Sequence, residues 1–176
     1  MIVSETIPTI LTWVELKTHI NLDDDTQKTE VEAFALAAVE AFELETGVAA
    51  GSRTITVTYT GNEIRDADFR LPKGPVISIT SVVGEGGNTV SADDYELRQV
   101  GKQYYLHLWR VPPNPIVITY VAGYSTVPQL IKSGCLLHAE HLYRKRGATT
   151  SVASPVVEFG LERIYNNYNA RKAIIG

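Results

Sequence analysis

Cys135, His138 and His141 are the residues of this chain whose types most suggest chemistry, because a thiolate and two imidazoles are the ligands that zinc prefers. They fall within roughly 120° on one face of a helix. Cys135 and His141 are six residues apart, however, which is about 9 Å along a helix axis and too far to share one ion at bond lengths near ~2 Å. Leu137-His138-Ala139-Glu140-His141 also carries leucine where a zinc-binding helix places its first histidine. The same face bears Leu130, Ile131, Leu137 and Leu142, so the histidines read as polar residues at the edge of a core or an interface.

Three other clusters fail in their context. Gly123-Tyr124-Ser125 follows a strand and precedes a helix, as a nucleophile elbow does, but Val127 stands where the second glycine belongs. Asp23, Asp24 and Asp25 offer oxygen ligands without the alternating spacing, central glycine and closing glutamate of a calcium loop, and read instead as acids opening a helix at its positive dipole end. Gly84-Glu85-Gly86-Gly87-Asn88 leads into another strand pattern, whereas a phosphate cradle needs a helix N-terminus immediately after it. The sequence therefore points to no catalytic site, no metal and no cofactor, and to a function carried by surfaces and partners.

The elements around these residues fall into a clear order. Thr12 and Glu15 form a capping box for a short helix from about Trp13 to Ile20. A second helix of about twenty residues ends before Gly47 and places Val31, Phe34, Ala35, Ala38, Val39 and Phe42 on one stripe. Ala33, Leu36, Ala37 and Leu44 gather on the opposite side among glutamates, a face that a neighbouring subunit or element could cover. From Arg53 the period changes to two, and further strands are expected near Val76 to Val83, Tyr95 to Val100, Gln103 to Trp109 and Ile116 to Val121. Their short connections predict an antiparallel meander. A third helix from about Pro128 to Arg146, a small hydroxylated loop from Ala148 to Pro155, and a final helix from about Val157 to Ala170 complete the chain. The final helix, with Tyr165 and Tyr168, reads equally as a partner-binding element and as a helix packed on the protein's own core.

The predicted fold class is thus α+β, a helical bundle with an inserted antiparallel β module: N-terminal helices in 1–50, the β module in 51–122, and C-terminal helices completing the bundle in 123–176. A composition of 44% hydrophobic and 20% charged residues over 176 positions suffices for one core plus a satellite module. The longest apolar run, Ala33 to Val39, is seven residues, against the roughly 20 of a membrane span. One cysteine permits no internal disulfide, and the first basic residue is Lys17, so no secretory signal is readable and a cytoplasmic site of synthesis and residence is expected. A formal charge of -4 argues against broad nucleic-acid binding, although Arg144, Lys145 and Arg146 form one basic cluster and Arg171 with Lys172 another.

Leu16-Lys17-Thr18-His19-Ile20 with its acidic turn, Glu45-Thr46-Gly47 closing the long helix, Leu71-Pro72-Lys73-Gly74-Pro75-Val76, and Tyr120-Val121-Ala122-Gly123-Tyr124 before Val127-Pro128 occur in an order that spans nearly the whole chain. The order and spacing resemble the head–tail connector, or adaptor, proteins of tailed bacteriophages and prophages, a family also labelled as DNA-packaging proteins. Arg163-Ile164-Tyr165-Asn166-Asn167-Tyr168 departs from the proline–aromatic–arginine close usual in that family. The resemblance implies a structural virion protein, not an enzyme. It would assemble with copies of itself as a ring at the head–tail junction, made in the host cytoplasm, beneath the portal protein of a DNA-filled head. The ring would join the portal to a stopper or tail-completion protein while genomic DNA passes through the channel without sequence-specific binding. Ala33, Ala37, Leu44, Arg144, Lys145, Arg146, Tyr165 and Tyr168 are the candidate interface residues. The alternatives are a tail-terminator or stopper protein and a small prophage-encoded hydrolase.

Overall fold

Two apolar cores, one between helices and one between sheets, organise the computed structural model, which describes residues 1–60, 67–145 and 155–170. Helix α1 (Trp13–Ile20) begins at Thr12, whose hydroxyl accepts from the Glu15 N–H while the Glu15 carboxylate accepts from the Thr12 N–H, the predicted capping box. Helix α2 (Lys28–Thr46) stops at Gly47, which takes the left-handed conformation at φ 71°. Its start differs from expectation. Gln27 occupies the cap position without a side-chain capping bond, and the aspartates shape the turn before it: Asp24 accepts from the Thr26 N–H and hydroxyl, and Asp25 accepts from Trp13 Nε1 and Lys17 Nζ. They tie α1 to the turn instead of capping α2.

The strands are β1 (Ile2–Glu5), β2 (Arg53–Tyr59), β3 (Asp68–Leu71), β4 (Val76–Val83), β5 (Tyr95–Val100), β6 (Gln103–Leu108) and β7 (Ile116–Ala122). They do not form a single meander. One antiparallel sheet runs β1-β2-β7-β4 and a second runs β3-β6-β5, so β2 finds its partner in the remote β7, with Arg53 opposite Ala122 and Tyr59 opposite Ile116. The reason lies in the alternation of β2 and β7, whose buried residues Ile55, Val57, Ile118 and Tyr120 face Phe69, Leu71, Leu106 and Leu108 of the second sheet in one core. The first strand is also unforeseen: the segment 1–50 opens with β1 on the edge of the sheet ahead of its helices. Both missed strands, β1 and β3, are four residues long, too short to show a period, and their partners are remote in sequence.

Helices α3 (Gln129–Lys145) and α4 (Pro155–Tyr168) complete the helical half. Val31, Ala35, Ala38, Val39 and Phe42 of α2 pack with Leu16 and Ile20 of α1, Ile131, Cys135 and Ala139 of α3, and Tyr165 of α4. Phe34, assigned to the same stripe, is only half-buried. Most of the connecting stretch from Ala148, together with Arg146, Arg171 and Lys172, lies outside the described residues.

The chain crosses itself at Gly123, where φ is 107° and an added Cβ would run into the Gly51 carbonyl group. Only glycine fits that crossing. Gly123→Ala should therefore lower the unfolding free energy by about 3 kcal/mol or more through backbone strain and overlap, read as a reduced urea midpoint; a midpoint within error of wild type would show that the crossing tolerates a side chain.

Candidate functional site

A closed network of four charges joins the helical half to the sheets. Glu43 projects from the last turns of α2, Arg53 opens β2, Glu5 ends β1, and Lys73 sits between β3 and β4. Arg53 donates through Nη1 to Glu43 Oε1 at 2.9 Å, through Nη2 to Glu43 Oε2 at 2.5 Å, and through Nε to Glu5 Oε2 at 2.9 Å. Lys73 Nζ donates to Glu5 Oε1 at 2.5 Å and to Glu43 Oε2 at 2.8 Å. The Ala50 N–H adds a bond of 2.9 Å to Glu43 Oε1. Glu43 is 1% exposed, so its charge is stable there only because both oxygens are saturated by donors. Burial pushes the Glu5 carboxyl up, but the Lys73 ammonium and the Arg53 guanidinium outweigh it and hold the group below its ordinary range. Burial acts against the Arg53 cation as well, and the two carboxylates more than offset it.

Backbone bonds close the same junction. Gly74 N–H donates to Gly47 O, Ala49 N–H to Gly74 O, Gly123 N–H to Pro75 O, Ser52 N–H to Tyr124 O and Ala170 N–H to Thr46 O. Segments singled out from the sequence for separate reasons, Thr46-Gly47, Lys73-Gly74-Pro75 and Gly123-Tyr124, therefore meet at one place. Ser125 is exposed beside them and, among the described residues, bonds to no histidine or carboxylate.

The ligand types on α3 are dispersed, with Cys135 in the core and His138 and His141 half-buried. Cys135 is buried, and desolvation with the nearby Glu43 charge pushes its thiol up to about 12. His138 Nδ1 lies 2.8 Å from Tyr165 Oη; burial, with His141 adding to it, depresses the His138 pKa. Among the described residues no three histidine, cysteine, aspartate or glutamate side chains gather around a common point fit for an ion.

The candidate interface residues separate in the structure. Ala33, Ala37 and Leu44 are exposed on the outer side of α2, with Leu44 at 71%. Arg144 is exposed and donates to Glu140 at 2.7 Å, Lys145 is half-buried, and Arg146 lies outside the described residues. Tyr165 belongs to the chain's own core: it is buried, meets Phe42 edge-on at 5.3 Å and bonds His138. Tyr168 is half-buried, 5.8 Å from the Phe42 ring, and lines a cavity of about 240 Å³ with Tyr104 and Tyr124.

Sequence reasoning missed a surface at the other end of the molecule. Trp109, placed at the end of a strand by its pattern, lies just beyond β6 and is 60% exposed. Its ring meets His107 edge-on at 4.5 Å, and the Arg98 guanidinium stands 5.4 Å from its centre. His107 and Arg98 are themselves held by Asp68 at 2.7 Å and Glu96 at 2.9 Å.

No protein-family model matches the sequence, and a search of curated proteins returns no match. Solved structures do match. A chain in the neck of an empty GTA particle, computed with C6 symmetry, has a TM-score of 0.81 to this chain at 21% identity, over 100% of this chain and 99% of that one. The fold is that of a chain in a GTA neck. Chains in the virion of a native gene transfer agent (GTA) particle and in the neck of the native particle computed with C12 symmetry give TM-scores of 0.79 and 0.78 at 22% and 19% identity, with the same coverage. The α+β reading of the sequence accords with these structures.

Two outcomes test the junction. Glu43→Ala leaves the buried Arg53 and the half-buried Lys73 without their shared acid, and is expected to cost about 3–5 kcal/mol in a urea titration; a loss below about 1 kcal/mol, no more than an exposed pair contributes, would show the network to be peripheral. Glu15, bonded to Lys132 Nζ at 2.8 Å, has its pKa lowered from 4.5 to about 2, chiefly by Lys132 and then by the Thr12 N–H. A carboxyl depressed on folding stabilises above the unfolded value and loses that effect as pH falls through the folded one. Melting temperatures measured from about pH 5 down to about pH 2 should therefore fall less steeply in Glu15→Gln than in wild type, and parallel curves would refute the assignment.

Proposed function

We propose that this chain is a structural ring protein of the neck of a phage-like particle, connecting the portal of a DNA-filled head to the tail or to tail-completion proteins. The observation that carries the reading is the match over the entire chain, at TM-scores of 0.78 to 0.81, to chains in gene transfer agent necks and virions. The symmetries named for those necks, C6 and C12, support self-association into a ring, since cyclic assemblies repeat one heterologous contact around an axis. The partners are further copies of the chain, the portal protein above and a stopper or tail-completion protein below. The site of action is the virion, after synthesis in the host cytoplasm.

The surface chemistry favours this role over a catalytic one. Cys135 and His138 are spent on packing and on a bond to Tyr165, and among the described residues Ser125 has no base bonded to it. Between Thr29 and Thr46, α2 carries glutamates and no lysine or arginine, so a channel lined by that helix would let DNA slide past without adhering. A tail-terminator or stopper is the second reading, favoured by the strand content alone.

Deleting the gene from the parent phage or prophage, with a complemented control, and imaging the particles by electron microscopy decides the matter. Full heads unjoined to free tails are expected. Infectious, fully joined particles without the protein would exclude a connector role, whereas tails of abnormal length would favour the terminator.

A further inference from the structure

A ring of identical subunits needs two different surfaces on each copy that fit one another. Two exposed features of this chain have that relation. The first is the loop between β6 and β7, where Trp109, Arg110 and Val111 are all exposed, Trp109 at 60%. This finger is fixed: Glu85 N–H donates to Pro113 O, Trp109 N–H donates to Asp94 O, Gly84 lies tight against Pro112, and the indole is braced by His107 and Arg98. Tryptophan and arginine on a rigid loop are the composition of a binding hot spot, because little rotamer freedom is lost on docking. Arg110 makes no ion pair among the described residues.

The second feature is a groove of about 440 Å³ between the segment before α1 and the outer side of α2, walled by Ile7, Leu11, Leu16, Ala33 and Leu36 with Glu32 among them. Leu36 is 44% exposed there. The wall opposite α2 is anchored where Pro8 packs against Gly51, and the groove is open among the described residues. Among the described residues Glu32 has one loose surface pair, Lys28 Nζ at 3.9 Å, which leaves it able to accept a better donor.

We propose that the Trp109-Arg110-Val111 finger of one copy seats in the Leu36 groove of the next, the indole and Val111 entering the apolar floor and Arg110 pairing with Glu32. The contact is heterologous, finger to groove, and repeats from copy to copy; it rests on the neck reading and names the ring contact for it. A finger that bound its own subunit's groove would not propagate, and these features lie on different halves of the fold.

The test uses whole particles. Ala33→Cys and Val111→Cys replace exposed residues, and the native thiol, Cys135, is buried and silent. Treating purified particles with a short bis-maleimide should give a ladder of dimers and higher multiples only when both substitutions are present. Neck rings visible by electron microscopy without a ladder would overturn the contact while leaving the neck reading intact. A cross-link from the Ala33→Cys single variant to a different virion protein would overturn it too, by giving the groove another occupant. If the chain is missing from the particles altogether, both readings fall. Independently, Arg110→Glu should reduce joined particles at least about tenfold, as losing a hot-spot pair does, and adding Glu32→Arg should restore them; a double variant no better than the single ones rejects the pairing.

Discussion

Glu43 is the point on which the rest of the structure depends. A carboxylate at 1% exposure is tolerated only when its oxygens are well supplied with donors, and the donors here come from the ends of elements that have no other reason to meet. Arg53 fixes where β2 leaves α2, Lys73 fixes where the chain returns between β3 and β4, and Glu5 brings in the edge strand. Hydrophobic burial alone would let the two cores slide or rotate over one another, because apolar contact is non-directional. Four charges with directed bonds admit one arrangement.

That arrangement explains how a sheet module can be inserted into a helical framework without becoming a separate domain. The chain passes from helices to sheet after Gly47, returns past the junction at Lys73-Gly74-Pro75, and leaves for α3 through Gly123, while the end of α4 comes back to Thr46. Each passage is pinned to another by a backbone bond, and two depend on glycine for the approach. The junction is therefore a weld of several strands of chain and not a linker, which is the condition for one chain to hold surfaces of both halves in fixed relation.

The helices are legible in the sequence because their signals are local. The capping box at Thr12 and Glu15, the glycine stop at 47 and the apolar stripe of α2 each act within a few residues, and the structure reproduces the first two closely. The strands declare themselves by alternation, but their pairing does not: β2 with β7, and the division into two sheets, follow from which faces must share a core, a non-local fact. The buried network is invisible for the same reason, since nothing near Glu5, Glu43, Arg53 or Lys73 distinguishes them from solvated charges. Tyr165 shows the converse. A tyrosine at helical spacing near the C-terminal end reads as well for a partner contact as for the core, and the structure uses it to close the helical core over Phe42 and His138.

Sharing a fold at about one-fifth identity over the full length, as this chain does with chains in the GTA neck, limits what can specify the fold. A fold shared at that distance rests on pattern more than on particular side chains, and in this chain the patterns are the alternation of β2 and β7, the apolar stripe of α2, and the crossing of Gly123 over Gly51 that excludes a Cβ. Surface features carry no such duty. Leu36, Leu44, Trp109 and Arg110 contribute little to either core, and exposing large apolar groups costs solubility when nothing covers them. Their presence on the outside of a firmly welded chain is consistent with the proposed ring contact: the fold supplies rigidity, and the residues it does not need are available to a neighbour.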